Sequence, residues 1–330
     1  MEKPVKRLLI RGVIPLAITA LIAWFFFRHI TLTDIQAAFA RLPAGAVLGF
    51  ISLWLIGTWL RAVKYRILIA RKLGMGEMLL ITLVRNFAVD LLPARTASLA
   101  FYTALTRRRG LSLEEGGASF VISVFYDVLA LSLMLGGLVL FFPPPGAVRG
   151  FIFTGMGVLF LLSLILIITP TPILRHLLRR PFIKDRPRLH KTVLTLSSYL
   201  DAHTAALERL ELLALSLIIR LAKYVSVFVL FTALVPVQRD MAGFSHFSLG
   251  LAGTEMSALL PIQGAGGFGT WEMAFELVFR GIGSAQTDLR LTALVIHITT
   301  QAWEYALGLP AFLALWIMGR ARANKEKAHG

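Results

Sequence analysis

The sequence predicts an all-α polytopic membrane protein with six transmembrane helices plus two re-entrant helical hairpins in an inverted repeat. Three observations lead there. Of 330 residues 57% are hydrophobic, with a mean hydropathy of +0.74, above the roughly half-apolar composition of a soluble domain. The apolar residues come in blocks of about 20, the length a helix needs to cross a bilayer. Two further apolar stretches are broken at their centres by proline and glycine, which interrupt helices.

Taken in order, the continuous blocks lie near 8–27, 44–66, 115–142, 149–169, 212–235 and 288–319. The first follows Lys3, Lys6 and Arg7 as a signal peptide would. It ends in Phe25, Phe26, Phe27 and Arg28 instead of a small-residue cleavage site, so it reads as a retained span. The broken stretches are 77–105, interrupted by Leu92, Pro93, Ala94 and Arg95, and 246–283, interrupted by the run from Pro261 through Gly264, Gly266 and Gly267 to Gly269. Residues 170–211, opened by Pro170, Pro172, Pro181 and Pro187, continue from Leu189 to Leu210 at helical spacing and read as an interfacial helix.

Loop charge decides the threading, because cytoplasmic flanks are enriched in Lys and Arg. The N-terminus, the 61–77 turn, Arg107 to Arg109, segment 170–211 and the C-terminal tail hold most of the bases. The opposite flanks hold Arg28, Arg41, Arg149, Arg239, Arg280 and Arg290. A multi-pass cell-membrane protein with both termini in the cytoplasm is expected. The first broken stretch then enters from the cytoplasm and the second from outside. Residues 1–142 and 149–319 become two opposed halves of one membrane domain spanning 1–330, each reading span, span, hairpin, span. Paired interruptions of this kind mark the binding site in transporters built from inverted repeats. Eight ordinary spans with proline kinks is the alternative topology.

The net charge of +16 does not imply a nucleic-acid partner, because the bases sit at span ends and not on a soluble face. With no cysteine, disulfides and thiolate metal sites are excluded, and neither a metal nor any other cofactor is expected. The glycine run contains the spacing Gly264, Gly266, Gly269 of a dinucleotide fingerprint, but it follows an apolar helical stretch where that motif needs a β-strand. Here glycine permits a tight reversal within the membrane domain.

An ionisable side chain at the bilayer centre costs roughly 2.5 to 3.5 kcal/mol, so interior charges are functional candidates by default. They are Arg85, Asp90, Arg95, Asp127, Arg220, Lys223, Glu255, Glu272, Glu276 and Glu304. For Asp127, Glu276 and Glu304 an ion pair that sets helix register is as good a reading as a functional role. Arg220 lies shallow enough to snorkel, whereas Lys223 lies deep and needs a partner or a wet cavity. Arg95 follows Pro93 where a new half-helix begins. A cation at that positive helix end is explained by a bound anion such as a phosphate, or by a salt bridge to Asp90. Thr270 is expected to cap the half-helix after the glycine run, with Glu272 in its first turn either as part of the cap or in proton coupling. His297, Gln301 and Glu304 share one helix face, which reads as polar packing with His297 a candidate for proton coupling.

The stretch from Leu260 to Glu272 has the order proline, paired glycines, glycine, glutamate. With Asn86, Leu92-Pro93-Ala94-Arg95 and Asp127-Val128-Leu129-Ala130-Leu131, it resembles the flippase-like family typified by the membrane domain of lysylphosphatidylglycerol synthase. The resemblance covers nearly the whole chain. It departs at Ala97-Ser98, where members commonly carry Gly-Glu, and at Ser123-Val124, where Glu-Arg is common. It implies translocation of a membrane lipid, with polyprenyl-phosphate-linked lipids or aminoacylated phosphatidylglycerol as precedents. Aminoacyl transfer is not expected, since the chain ends shortly after its last span.

The expectation is therefore a lipid translocator, not an enzyme. Arg95, Asn86, Pro93, Pro261, Gly264, Gly266, Gly267, Gly269 and Lys223 would meet the headgroup. Asp90, Asp127, Glu255, Glu272, Glu304 and His297 would serve as coupling or ion-pair residues. The alternatives are an integral membrane lipid phosphatase or transferase, for which Ser98 and His297 are the suggestive pair, and a permease for a small anion.

Overall fold

A computed structural model describes residues 30–89, 96–143, 175–202, 206–236, 239–257, 265–282 and 288–329, with scattered positions between 20 and 28 and between 150 and 164. The predicted spans 8–27 and 149–169 and both break centres, 90–95 and 258–264, lie largely or wholly outside the described residues. Ten helices of eight residues or more are described: α1 (Leu32–Ala40), α2 (Ala44–Leu68), α3 (Met75–Phe87), α4 (Thr96–Arg107), α5 (Leu113–Phe141), α6 (Pro187–Ala202), α7 (Ala206–Leu234), α8 (Met241–Met256), α9 (Thr270–Gly281) and α10 (Leu289–His329). The protein is an all-α polytopic membrane protein. Among the described residues Ala44–Leu68, Leu113–Phe141, Leu210–Leu234 and Leu289–Ala321 are each long and apolar enough to cross a bilayer.

Local chemistry sets the helix ends. Thr31 and Ser112 cap α1 and α5 in reciprocal boxes with Asp34 and Glu115, and Asp240 caps α8 through the Gly243 N–H. Both interrupted stretches are pairs of packed helices, α3 against α4 and α8 against α9. At 13, 12, 16 and 12 residues, each of the four falls short of the ~20 needed to span. Of the predicted interfacial helix, α6 packs on α5 and the chain continues as a separate helix, α7.

At the centre α2 packs along α7. Gly49 faces Val229 while Gly57 faces Ala222, so the two run antiparallel. Around this axis the pairings match: α2 with α3 and α7 with α8, α4 with α5 and α9 with α10, α3 with α10 and α8 with α5.

The apolar core divides in two. One cluster gathers Tyr65, Tyr102, Phe120 and Leu212 with Ala311 and Leu315, with Tyr65 and Tyr102 rings 4.6 Å apart. The other gathers Phe50, Leu135, Phe231, Phe247, Phe275, Phe279 and Ile296. Along α2, α5, α7 and α10 the sequence passes from one cluster to the other, and Arg61, Asp127, Arg220, Lys223 and Glu304 lie in the interval. The bundle therefore has two apolar layers with a polar layer between them.

Candidate functional site

Within that polar layer lies a cavity of about 150 Å³ walled by α2, α3, α5, α7, α8, α9 and α10. Its charged lining is Arg61 from α2, Arg85 from α3, Asp127 from α5, Arg220 and Lys223 from α7, Glu255 from α8 and Glu304 from α10, joined by Asn86, His297 and Gln301. Residues far apart in sequence thus meet at one height, because four long helices carry their polar positions between the same two apolar layers.

Most of these charges neutralise one another. Lys64, fully buried below the cavity, donates to Asp127 Oδ1 at 2.6 Å, to Ser216 Oγ at 3.0 Å and to the Ser123 carbonyl at 3.2 Å. Its three ammonium protons are all used. Glu255 takes Arg220 at 3.1 Å and Lys223 at 2.5 Å, and Tyr224 donates to it at 3.3 Å. Arg220 also donates to the Asp127 carbonyl at 3.3 Å. The expectation that Arg220 snorkels is corrected: its side chain is 9% exposed and locked inward, because Glu255 waits there and desolvation is offset by pairing. Lys223 has both the partner and the cavity that its depth demanded.

Two cations are different. Arg85, 6% exposed, donates to Asn86 Oδ1 at 3.1 Å and lies over the Phe120 ring at 5.5 Å. Arg61 donates to the same oxygen at 3.4 Å. Asn86 Nδ2 in turn donates to Thr58 Oγ1 at 3.3 Å, which fixes the amide with its oxygen toward the arginines. Neither guanidinium meets a carboxylate among the described residues, and each keeps a buried Nε–H without a partner. Buried donors left open in this way are costly unless something else fills them.

The glycine run makes a tight reversal. Gly266, Gly267 and Gly269 have φ of +64°, +80° and +84°, a region that L side chains rarely adopt, so only glycine makes this reversal without strain. A Cβ on Gly267 would also press on the His297 ring at 3.4 Å. These glycines are not among the described cavity walls; they seat the turn against α10. Thr270 does not cap α9 but donates from its hydroxyl to the Gly267 carbonyl at 2.9 Å. Capping falls to Glu272, fully buried, whose Oε2 accepts the Gly269 N–H at 2.7 Å. Its Oε1 meets His297 Nδ1 at 2.7 Å. Gln301 reaches His297 Nε2 at 3.3 Å, and Phe268 stacks on the imidazole at 4.4 Å. Both ring nitrogens therefore engage Glu272 and Gln301, not Ser98. Glu276 stands away from the cavity lining and binds Arg280, at 3.0 Å, and Arg290, joining α9 to the start of α10.

Of the residues singled out from sequence, Asn86, Asp127, Lys223, Glu255, His297 and Glu304 come together at the cavity, while Asp90, Pro93, Arg95, Pro261 and Gly264 lie outside the described residues. Sequence reasoning missed Arg61 and Lys64 as interior charges. It assigned them to a basic 61–77 turn, but α2 continues to Leu68 and carries both inward. Their spacing of three, one helix turn from Gly57 and Thr58, was the available signal.

A family profile described as lysylphosphatidylglycerol synthase TM region matches residues 12–308. The chain belongs to this family. Its match takes in every residue that lines the cavity, and family membership together with the membrane helices makes this a membrane protein of lipid handling. No curated protein matches the chain.

Proposed function

We propose that the chain is a lipid translocator that passes an anionic headgroup, either a phospholipid's or a polyprenyl phosphate's, across the bilayer through the central cavity. It acts as a carrier and not as an enzyme. The observation that supports this most is the pair Arg61 and Arg85, which share one Asn86 oxygen and make no ion pair with a carboxylate among the described residues. Guanidinium groups match phosphate geometry with paired N–H donors, and an anion between them would take up the open Nε–H groups. Asp127, Arg220, Lys223 and Glu255 are engaged in ion pairs, so the anion-binding capacity is concentrated on α2 and α3.

The cavity volume sharpens the reading. About 150 Å³ is several times the roughly 10–15 Å³ that a single water needs, which is room for a phosphate and some of its hydration. The head would pass through the polar layer while its tails stay in lipid. The matched pairings around α2 and α7 support two opposed halves, with α3–α4 and α8–α9 as re-entrant hairpins that meet at the cavity from opposite sides. Alternating access is the motion such an arrangement allows.

Proteoliposomes containing the purified chain test this, with fluorescent phosphatidylglycerol and undecaprenyl phosphate as cargo. Accelerated flipping of either over protein-free vesicles, lost in Arg85→Gln, is the expected result. Flipping no faster than in protein-free vesicles would defeat the reading.

A further inference from the structure

A second cavity, of about 700 Å³, opens between the end of α4 and the C-terminal part of α10, with Arg107, Arg108, Arg109, Phe312, Trp316 and Arg320 among its walls. It shares no lining residue with the central cavity. Arg109 is already engaged: it donates to Glu77 at 2.9 Å and to the Leu315 carbonyl at 3.1 Å, tying α3 and α10 together beside the groove. Arg107, Arg108 and Arg320 are exposed and have no acidic partner among the described residues, and no carboxylate is among the groove's walls. The Arg320 guanidinium lies over the Trp316 ring at 3.7 Å, which holds it at the groove's mouth.

An apolar track leads away from these cations. Leu309, Leu313, Trp316 and Ile317 on α10 are 50%, 55%, 42% and 60% exposed. Their spacing puts them on one helix face, and Arg320 continues that face. From Leu309 to Arg320 the track is roughly 16 Å long at 1.5 Å per residue, about the depth of one leaflet of a ~30 Å hydrocarbon core.

We propose that this groove is a binding site for an anionic glycerophospholipid, with its phosphate among Arg107, Arg108 and Arg320 and an acyl chain along the track from Trp316 to Leu309. The general preference for bases at one membrane face puts arginines at this end of the bundle. It does not arrange them around a cavity of about 700 Å³ beside a leaflet-long apolar face. A soluble anion would have no use for the track, and a zwitterionic lipid would bring its amine into a groove lined by cations. The site is independent of the translocation reading.

The test uses the purified full-length protein, delipidated in detergent and offered equal amounts of phosphatidylglycerol and phosphatidylcholine, with retained lipid counted by native mass spectrometry. Phosphatidylglycerol should be retained preferentially. At about fivefold per arginine, Arg108→Gln with Arg320→Gln should lower its retention roughly 25-fold. Arg108→Lys with Arg320→Lys should keep most of it, and Lys184→Gln, at an exposed base outside the groove's walls, should behave as wild type. Equal retention of both lipids would overturn the proposal. So would full retention in the double glutamine variant, loss in Arg85→Gln alone, or displacement of the lipid by an equal concentration of glycerol phosphate.

Discussion

The two packed helix pairs, α3 with α4 and α8 with α9, bring opposite charge to the same cavity. The first presents Arg85 and Asn86 from α3, while the second presents Glu255 from α8 and, behind His297, Glu272 from α9. The acid on the second is met by Arg220 and Lys223 of the adjoining α7. Among the described residues the cation on the first meets the Phe120 ring and an amide that a second arginine also uses, and no carboxylate. The difference separates charge that holds the bundle together from charge held open for something else. Pairing on one side secures helix register, and its lack on the other is what the proposed anion site rests on.

That contrast can be broken by experiment. Glu255→Gln should be the most damaging change to the fold, since it leaves Arg220 and Lys223 without their shared carboxylate; the expected loss is about 3 to 5 kcal/mol, read from unfolding of the detergent-solubilised protein. Lys64→Met should cost the same order by stranding Asp127, and adding Asp127→Leu should recover much of it. Arg85→Gln should do the reverse. It removes a cation without a carboxylate partner, so thermal stability should hold while flipping falls ten- to a hundredfold, corresponding to about 1.5 to 3 kcal/mol for charge-assisted hydrogen bonds. A stability loss in Arg85→Gln as large as that in Glu255→Gln would erase the distinction between the hairpins.

Smaller effects refine the picture. A Cβ added at Gly308 on α10 would collide with Phe87 at the end of α3, so Gly308→Ala should cost about 1 to 3 kcal/mol by overpacking and should disturb flipping by shifting the basic hairpin. Lys191→Gln removes an exposed pair with Glu114 at 3.1 Å and should change stability by less than about 1 kcal/mol. Unfolding curves of these two variants set the scale against which the buried changes are judged.

Much of the fold was legible in the chain. Hydropathy found the long helices because an apolar run of that length is soluble in little but lipid. Proline and glycine found both interruptions because each acts on the backbone locally. The acids and bases near mid-membrane were legible as unusual, but their partners were not. The chain alone leaves Arg220 free to snorkel, and its inward lock depends on Glu255, 35 residues away on another helix. Thr270 was read as a cap, while Glu272 and an adjacent positive-φ glycine took that place.

The sequence by itself determined a helical membrane bundle with two broken stretches, and its family. Those properties come from composition, period and local backbone constraint, which a linear text carries in full. Only the tertiary structure decided which cations are neutralised and which stay open. Arg61, Lys64, Arg85, Arg220 and Lys223 look alike along the chain. What distinguishes them is whether folding brings a carboxylate within about 4 Å, where charges in a low-dielectric interior interact strongly.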